Sequence, residues 1–123
     1  MPAKVLIVDD DQRLRSDLRR LLEKEGDLSV VGEAGDGALA YELAQAGPID
    51  VILMDLQMPR VNGLDATRMI KAERPETKII VLTQYHEDAY RRAAAESGAD
   101  AFLPKQTRLR DLLATIRELV DDH

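Results

Sequence analysis

Short apolar runs alternate with amphipathic helical periods along this whole chain, and that alternation decides the fold class. Val5-Leu6-Ile7-Val8, a run at about 50–54 with Val51-Ile52-Leu53-Met54, and a run at about 78–82 with Ile79-Ile80-Val81-Leu82 are continuous apolar stretches of strand length. Parallel strands covered on both faces read this way. Leu28 to Ala34 is more mixed, with Ser29 and Glu33, and suits an edge strand; a fifth strand covers about 100–103. Between them Leu14, Leu18, Leu21 and Leu22 recur at helical spacing, with Gly26 predicted to stop that helix. Asp36-Gly37 opens a helix through about residue 45 that Gly47-Pro48 ends. Further helices are predicted at about 64–73, ended by Pro75, and about 87–97, closed by Gly98. The last helix carries Leu109, Leu112, Leu113, Ile116 and Val120 on one stripe. Thr107 is its expected N-cap, and Asp111 lies in the first turn, where the helix dipole favours an anion. Strand followed by helix, repeated with short right-handed connections, predicts an α/β fold: a doubly wound (βα)5 unit with a five-stranded parallel sheet.

The 123 residues suit one domain, spanning 1–123, and no linker, internal repeat or second domain is visible. Phe102, Tyr41, Tyr85 and Tyr90 are the only aromatic residues, so the core must be aliphatic. The absence of cysteine excludes disulfides, thiolate metal sites and a cysteine nucleophile. No apolar run approaches the ~18 residues of a membrane span. Lys4 is followed at once by a short strand rather than a secretory apolar segment, so a cytoplasmic protein with no membrane partner is expected. The net charge of −6 argues against nucleic-acid binding by this domain itself and favours a basic partner surface. Arg13, Arg15, Arg19 and Arg20, and later Arg91-Arg92, read as solvated helix faces.

The chemistry-bearing residues stand where the strands end. Asp9-Asp10, Asp55, Thr83 and Lys105 each follow an apolar run, and open parallel sheets bind ligands at the carboxyl ends of their strands. Within Asp9-Asp10-Asp11, Asp11 can cap the following helix. Three adjacent carboxylates repel one another, and a divalent cation such as Mg²⁺, with its preference for oxygen ligands, relieves that repulsion. Asp55 can share the metal or act as a nucleophile, since carboxylates form acyl phosphates. A hydroxyl at Thr83 can donate to a phosphoryl oxygen and an ammonium at Lys105 can neutralise one. Gly32, Gly35 and Gly37 have the wrong order and place for a dinucleotide loop. His86 and His123 are the only histidines, and His86 reads as a surface residue at a helix start.

Taken together, these residues resemble the receiver domain of bacterial two-component response regulators, over essentially the whole chain. Asp9 and Asp10 match the family's acidic pair and Asp55 its phosphoacceptor. Asp55-Leu56-Gln57-Met58-Pro59 with Gly63 matches the D-x-x-M-P-x-x-x-G loop. Thr83 matches the hydroxyl switch residue, Phe102 the aromatic switch position and Lys105 the family lysine, while Ser29 to Ala34 resembles the NarL-type subfamily. The resemblance implies a flavodoxin-like, CheY-like strand order 2-1-3-4-5. It implies phosphoryl transfer to Asp55 from a sensor histidine kinase or phosphotransfer protein. Mg²⁺ would be held by Asp10, Asp55 and the Gln57 backbone carbonyl, with Asp9 acting through a metal-bound water. Lys105 would pair with the phosphoryl group, Thr83 would move to bond it, and Phe102 would rotate inward. The surface formed by the fourth helix, fifth strand and fifth helix would then change shape. Such a protein is a switch with slow self-catalysed phosphorylation and dephosphorylation rather than a turnover enzyme.

Relatives of this type commonly carry a C-terminal helix-turn-helix DNA-binding domain, so transcription control is the expected output of a longer parent. A homodimer formed on phosphorylation, or a free-standing receiver acting through protein contacts alone, are the other outputs the resemblance allows. An aspartyl-phosphate phosphatase is the alternative reading, but such hydrolases usually place a second acid two residues after the nucleophile, where this chain has Gln57. Two positions depart from common receivers. Gln84 puts a long amide where a small residue is usual, which predicts an altered, slow dephosphorylation. Gln106 replaces a usual proline, and Pro104 precedes Lys105 instead.

Overall fold

A computed structural model of the chain describes residues 1–58, 60–85 and 87–121; Pro59, His86 and His123, named above, lie outside the described residues. Strands β1 (Ala3–Val8), β2 (Leu28–Ala34), β3 (Val51–Met54), β4 (Lys78–Thr83) and β5 (Ala101–Pro104) alternate with helices α1 (Gln12–Leu22), α2 (Gly37–Ala46), α3 (Gly63–Glu73), α4 (Asp88–Glu96) and α5 (Leu109–Asp121). The strands pair in parallel in the order β2-β1-β3-β4-β5. The mixed strand β2 lies at an edge, as its polar residues require.

Side chains alternate across a strand, so each strand feeds both faces of the sheet. Val5, Ile7, Val51, Leu53 and Ile80 pack on one face with Leu22 of α1 and Leu112, Leu113 and Ile116 of α5. Leu6, Val8, Ile52, Met54 and Ile79 pack on the other with Ala40 and Ala44 of α2 and Ala66 and Ile70 of α3. Burial of such aliphatic side chains contributes roughly 1.5–3 kcal/mol each. The small alanines let α2 and α3 approach the sheet closely. Among the described residues, no helix is long and apolar enough to cross a membrane.

Two helix ends differ from expectation. Helix α1 stops at Leu22, before Gly26, because its last turn tightens: the N–H groups of Glu23, Lys24 and Glu25 donate to the carbonyls of Arg19, Leu21 and Leu22. Thr107 does not cap α5. Its hydroxyl donates to the Pro104 carbonyl at 2.6 Å, and the Arg108 carbonyl takes the N–H groups of Asp111 and Leu112, so the helix starts one residue later. Gly98 closes α4 as predicted, with a φ of 104° that side chains disfavour.

Candidate functional site

Main-chain bonds bring the ends of β1 and β3 together. Asp9 N–H donates to the Ala34 carbonyl at 3.0 Å, and Asp55 N–H donates to the Val8 carbonyl at 2.9 Å. Asp9, Asp10 and Asp55 each present a carboxylate oxygen, and the three lie within 4.8 Å of one another. Asp9 and Asp55 are buried and Asp10 is exposed. The Lys105 ammonium sits 2.9 Å from Asp9 Oδ2 and 3.4 Å from Asp55 Oδ1. Its own N–H donates to the Thr83 carbonyl, which ties the turn after β5 to the end of β4. Asp11 caps α1, its carboxylate accepting from the N–H groups of Arg13 and Leu14. The sequence-predicted residues Asp9, Asp10, Asp55 and Lys105 are therefore one cluster, and Thr83 ends the strand beside it.

Burial pushes the Asp55 carboxyl up to about 6, with the negative charge of Asp9 adding to the effect. Lys105 and the Leu56 N–H oppose the rise but do not cancel it. Burial works against the Lys105 charge too, yet the hydrogen bond to Asp9 and the charges of Asp55 and Asp9 together hold its ammonium above the usual range. Lys105 thus offsets only part of the charge of Asp9, Asp10 and Asp55. The set is made of oxygen donors and retains excess negative charge, which fits a hard divalent cation.

The family model of the response regulator receiver domain matches residues 5–117. The chain belongs to this family. The response regulator protein VraR of Staphylococcus saprophyticus is 39% identical over 118 residues, covering 96% of this chain and 56% of VraR. The response regulator UvrY of Escherichia coli O157:H7 is 37% identical, covering 94% of this chain and 53% of UvrY. The chain spans about half the length of the curated relatives it matches. Among solved structures, the signal receiver domain of the putative response regulator NarL from Mycobacterium tuberculosis superposes with a TM-score of 0.93 at 29% identity, covering 99% of this chain and 98% of that one. The response regulator domain of Thermotoga maritima CheB gives 0.91 at 31% identity, covering 100% of this chain and 99% of that one.

Around the acidic cluster, the receiver places its other named residues as follows. Thr83 is fully buried, and its hydroxyl oxygen accepts the Tyr85 N–H at 3.0 Å. Phe102 is half-buried against Leu56, Val81 and Ala94, and the Arg91 guanidinium lies over its ring. Gln57, Gln84 and Gln106 are exposed, and no described peptide bond is cis.

Of the α1 arginines, Arg13 and Arg20 are exposed as expected, whereas Arg15 and Arg19 depart from the solvated face. Arg15 and Arg19 both reach Glu33 on β2, at 3.1 and 2.9 Å, and Arg15 Nη1 also donates to the Asp9 carbonyl at 2.6 Å. The hydrogen bond from Arg19, and then that from Arg15, hold the Glu33 carboxyl below its usual range against burial. Arg91 and Arg92 are exposed as expected, and the Arg91 guanidinium also lies over the Phe102 ring. The sequence signal for the first contact was an acidic residue in the mixed edge strand and two arginines one helical turn apart on the preceding helix.

Proposed function

We propose that this domain is a phosphorylation-controlled switch in which Asp55 is the phosphoacceptor. The observation that carries the reading is the single cluster of Asp55, Asp9, Asp10 and Lys105 at the carboxyl end of the sheet. Asp55 in its ionised form attacks the phosphorus of a phosphohistidine on a sensor histidine kinase or phosphotransfer protein. An O–P bond forms, the N–P bond breaks, and the histidine leaves with the electron pair and takes up a proton. Asp10, Asp55 and the Gln57 carbonyl would hold Mg²⁺, with Asp9 beside them. A bound Mg²⁺ would neutralise carboxylate and phosphoryl oxygens that otherwise repel attack by an anion. Lys105 stands ready to exchange part of its contact with Asp55 for the new phosphoryl oxygens.

The added group brings charge of up to about −2. Thr83 turns its hydroxyl to donate to it, and Phe102 moves inward from its half-buried place. The change biases two states of the α4-β5-α5 face rather than building a new one. Relatives such as PdtaR of Mycobacterium tuberculosis, 40% identical over 116 residues, bear the name transcriptional regulatory protein. Control of transcription through a DNA-binding part of a longer parent is the output we favour, in the cytoplasm, with dimerisation as one route from phosphorylation to it.

The test is labelling of the purified chain by acetyl phosphate with and without MgCl₂, followed by phosphate-affinity electrophoresis. Mg²⁺-dependent modification of the wild type and none of Asp55→Asn is expected, with circular dichroism unchanged. Modification of Asp55→Asn at the wild-type rate would move the nucleophile elsewhere.

A further inference from the structure

Every polar atom of Asp9 is engaged. Its N–H donates to Ala34, its Oδ1 accepts the Asp11 N–H at 2.9 Å, its Oδ2 meets Lys105, and its carbonyl accepts from Arg15. Asp10, the next residue, is the exposed member of the acidic cluster. Among the described residues its carboxylate has no hydrogen bond or ion pair comparable to those that fix Asp9. What orients Asp10 is therefore the main chain that carries it. In a planar trans peptide the carbonyl of one residue and the N–H of the next point in opposite directions. Fixing the Asp9 carbonyl fixes the plane of the Asp9–Asp10 peptide and the direction in which Asp10 departs.

Arg15 is built to do this. Its side chain is only 16% exposed, and its Nε is anchored on Glu33 Oε1 while Nη1 reaches the Asp9 carbonyl. The guanidinium is planar and presents its donors in a fixed fork, so anchoring one edge aims the other. Arg19 shares Glu33 but turns its other nitrogens to Val30 and Glu23, not to the acidic cluster.

We infer that Arg15 is a positioning residue: braced on Glu33 of the edge strand, it holds the Asp9–Asp10 peptide so that Asp10 faces a divalent cation shared with Asp55. The inference rests on the metal-binding reading of the site given above.

Electrostatics and positioning predict opposite signs here. Deleting a positive charge close to an acidic cluster strengthens cation binding by Coulomb's law. Deleting a positioning contact weakens it. The experiment is titration of the unphosphorylated chain with Mn²⁺, read by electron paramagnetic resonance, for wild type, Arg15→Ala, Arg15→Lys and Arg19→Ala. We expect affinity to fall about 10-fold in Arg15→Ala, the lower end of the roughly 10- to 100-fold losses seen when groups behind metal ligands are removed. Arg15→Lys keeps the charge but not the fork, and should fall about 3-fold or more. Arg19→Ala should bind as wild type or slightly tighter. Equal or tighter binding by Arg15→Ala overturns the inference while leaving the metal site intact. If Arg15→Ala unfolds by circular dichroism, unaltered affinity in Arg15→Lys overturns it. A wild type that binds no Mn²⁺ overturns the metal reading itself and this inference with it.

Discussion

The Arg91 guanidinium lies over the Phe102 ring, 4.8 Å from its centre. Phe102 is the aromatic group of the proposed switch, so this contact favours the half-buried place the ring holds here. At an exposed site such a contact is worth about 0.5–1 kcal/mol. Arg91→Ala should shift the balance toward the inward ring by roughly 2- to 5-fold, following that energy. Phe102 is the only phenylalanine in the chain, so fluorophenylalanine labels it alone. The fluorine spectrum of Arg91→Ala should move part-way toward that of beryllofluoride-treated wild type. An unmoved spectrum would show that Arg91 is a bystander.

Asp55 should also make stability depend on pH in a definite direction. Its folded-state pKa of about 6 lies above the ordinary 3.8. Between these values the folded protein keeps a proton that the unfolded chain has released. Stability therefore falls as pH rises from about 4 to about 6, and the loss is complete at neutral pH. In chelator, the urea midpoint should be higher at pH 5 than at pH 7 by the equivalent of about 1 kcal/mol, and Asp55→Asn should remove most of that difference. Mg²⁺ should raise the midpoint more at pH 7, where Asp55 is ionised. A steeper pH dependence in Asp55→Asn would contradict the assignment.

Much of this was readable before any coordinates. Continuous apolar runs at β1, β3 and β4 announce strands covered on both faces, and the mixed β2 announces an edge. Asp9, Asp55, Thr83 and Lys105 were legible because strand ends are the one place where a buried sheet can present polar groups. The strand order came from the family resemblance, because alternation alone leaves several orders open. Helix ends were legible where a glycine or proline stops the helix, as at Gly47-Pro48, Pro75 and the left-handed Gly98. The Thr107 expectation failed because a hydroxyl beside a turn has a local alternative, the Pro104 carbonyl. The contacts of Arg15 and Arg91 were not legible because helix periodicity gives a face but not the reach of a long side chain. Their partners, Glu33 and Phe102, lie on other elements, and pairing across elements is a tertiary fact.

Gly63 should tolerate no side chain. A Cβ there would collide with the Asp55 carbonyl oxygen and crowd Leu56 Cα, and neither backbone atom can yield without moving the acceptor itself. Gly63 N–H also donates to the Leu56 carbonyl at 2.9 Å, fastening the start of α3 beneath the site. Gly63→Ala should cost about 3 kcal/mol in urea denaturation and slow labelling of Asp55. Gly26→Ala is the control, since nothing lies within 4 Å of a Cβ there. It should be neutral or stabilising by up to ~1 kcal/mol. Equal effects at the two glycines would mean that the close approach at Asp55 is not real.

Lys105 should control both the rate and the pH range of phosphorylation. It lies 2.9 Å from Asp9 and 3.4 Å from Asp55, and its charge is among the influences that restrain the rise of the Asp55 pKa. In Lys105→Ala that restraint is gone, so Asp55 should hold its proton to a higher pH. Attack requires the ionised carboxylate, so the pH below which labelling by acetyl phosphate declines should move upward. At pH 8, where both proteins are mostly ionised, the remaining deficit reports the lost contact with the phosphoryl oxygens. A charge-assisted hydrogen bond of roughly 1.5–3 kcal/mol corresponds to a rate about 10- to 100-fold lower. A labelling profile between pH 5 and 8 therefore separates the two roles: an unshifted profile removes the electrostatic one, and an unchanged rate at pH 8 removes the phosphoryl contact.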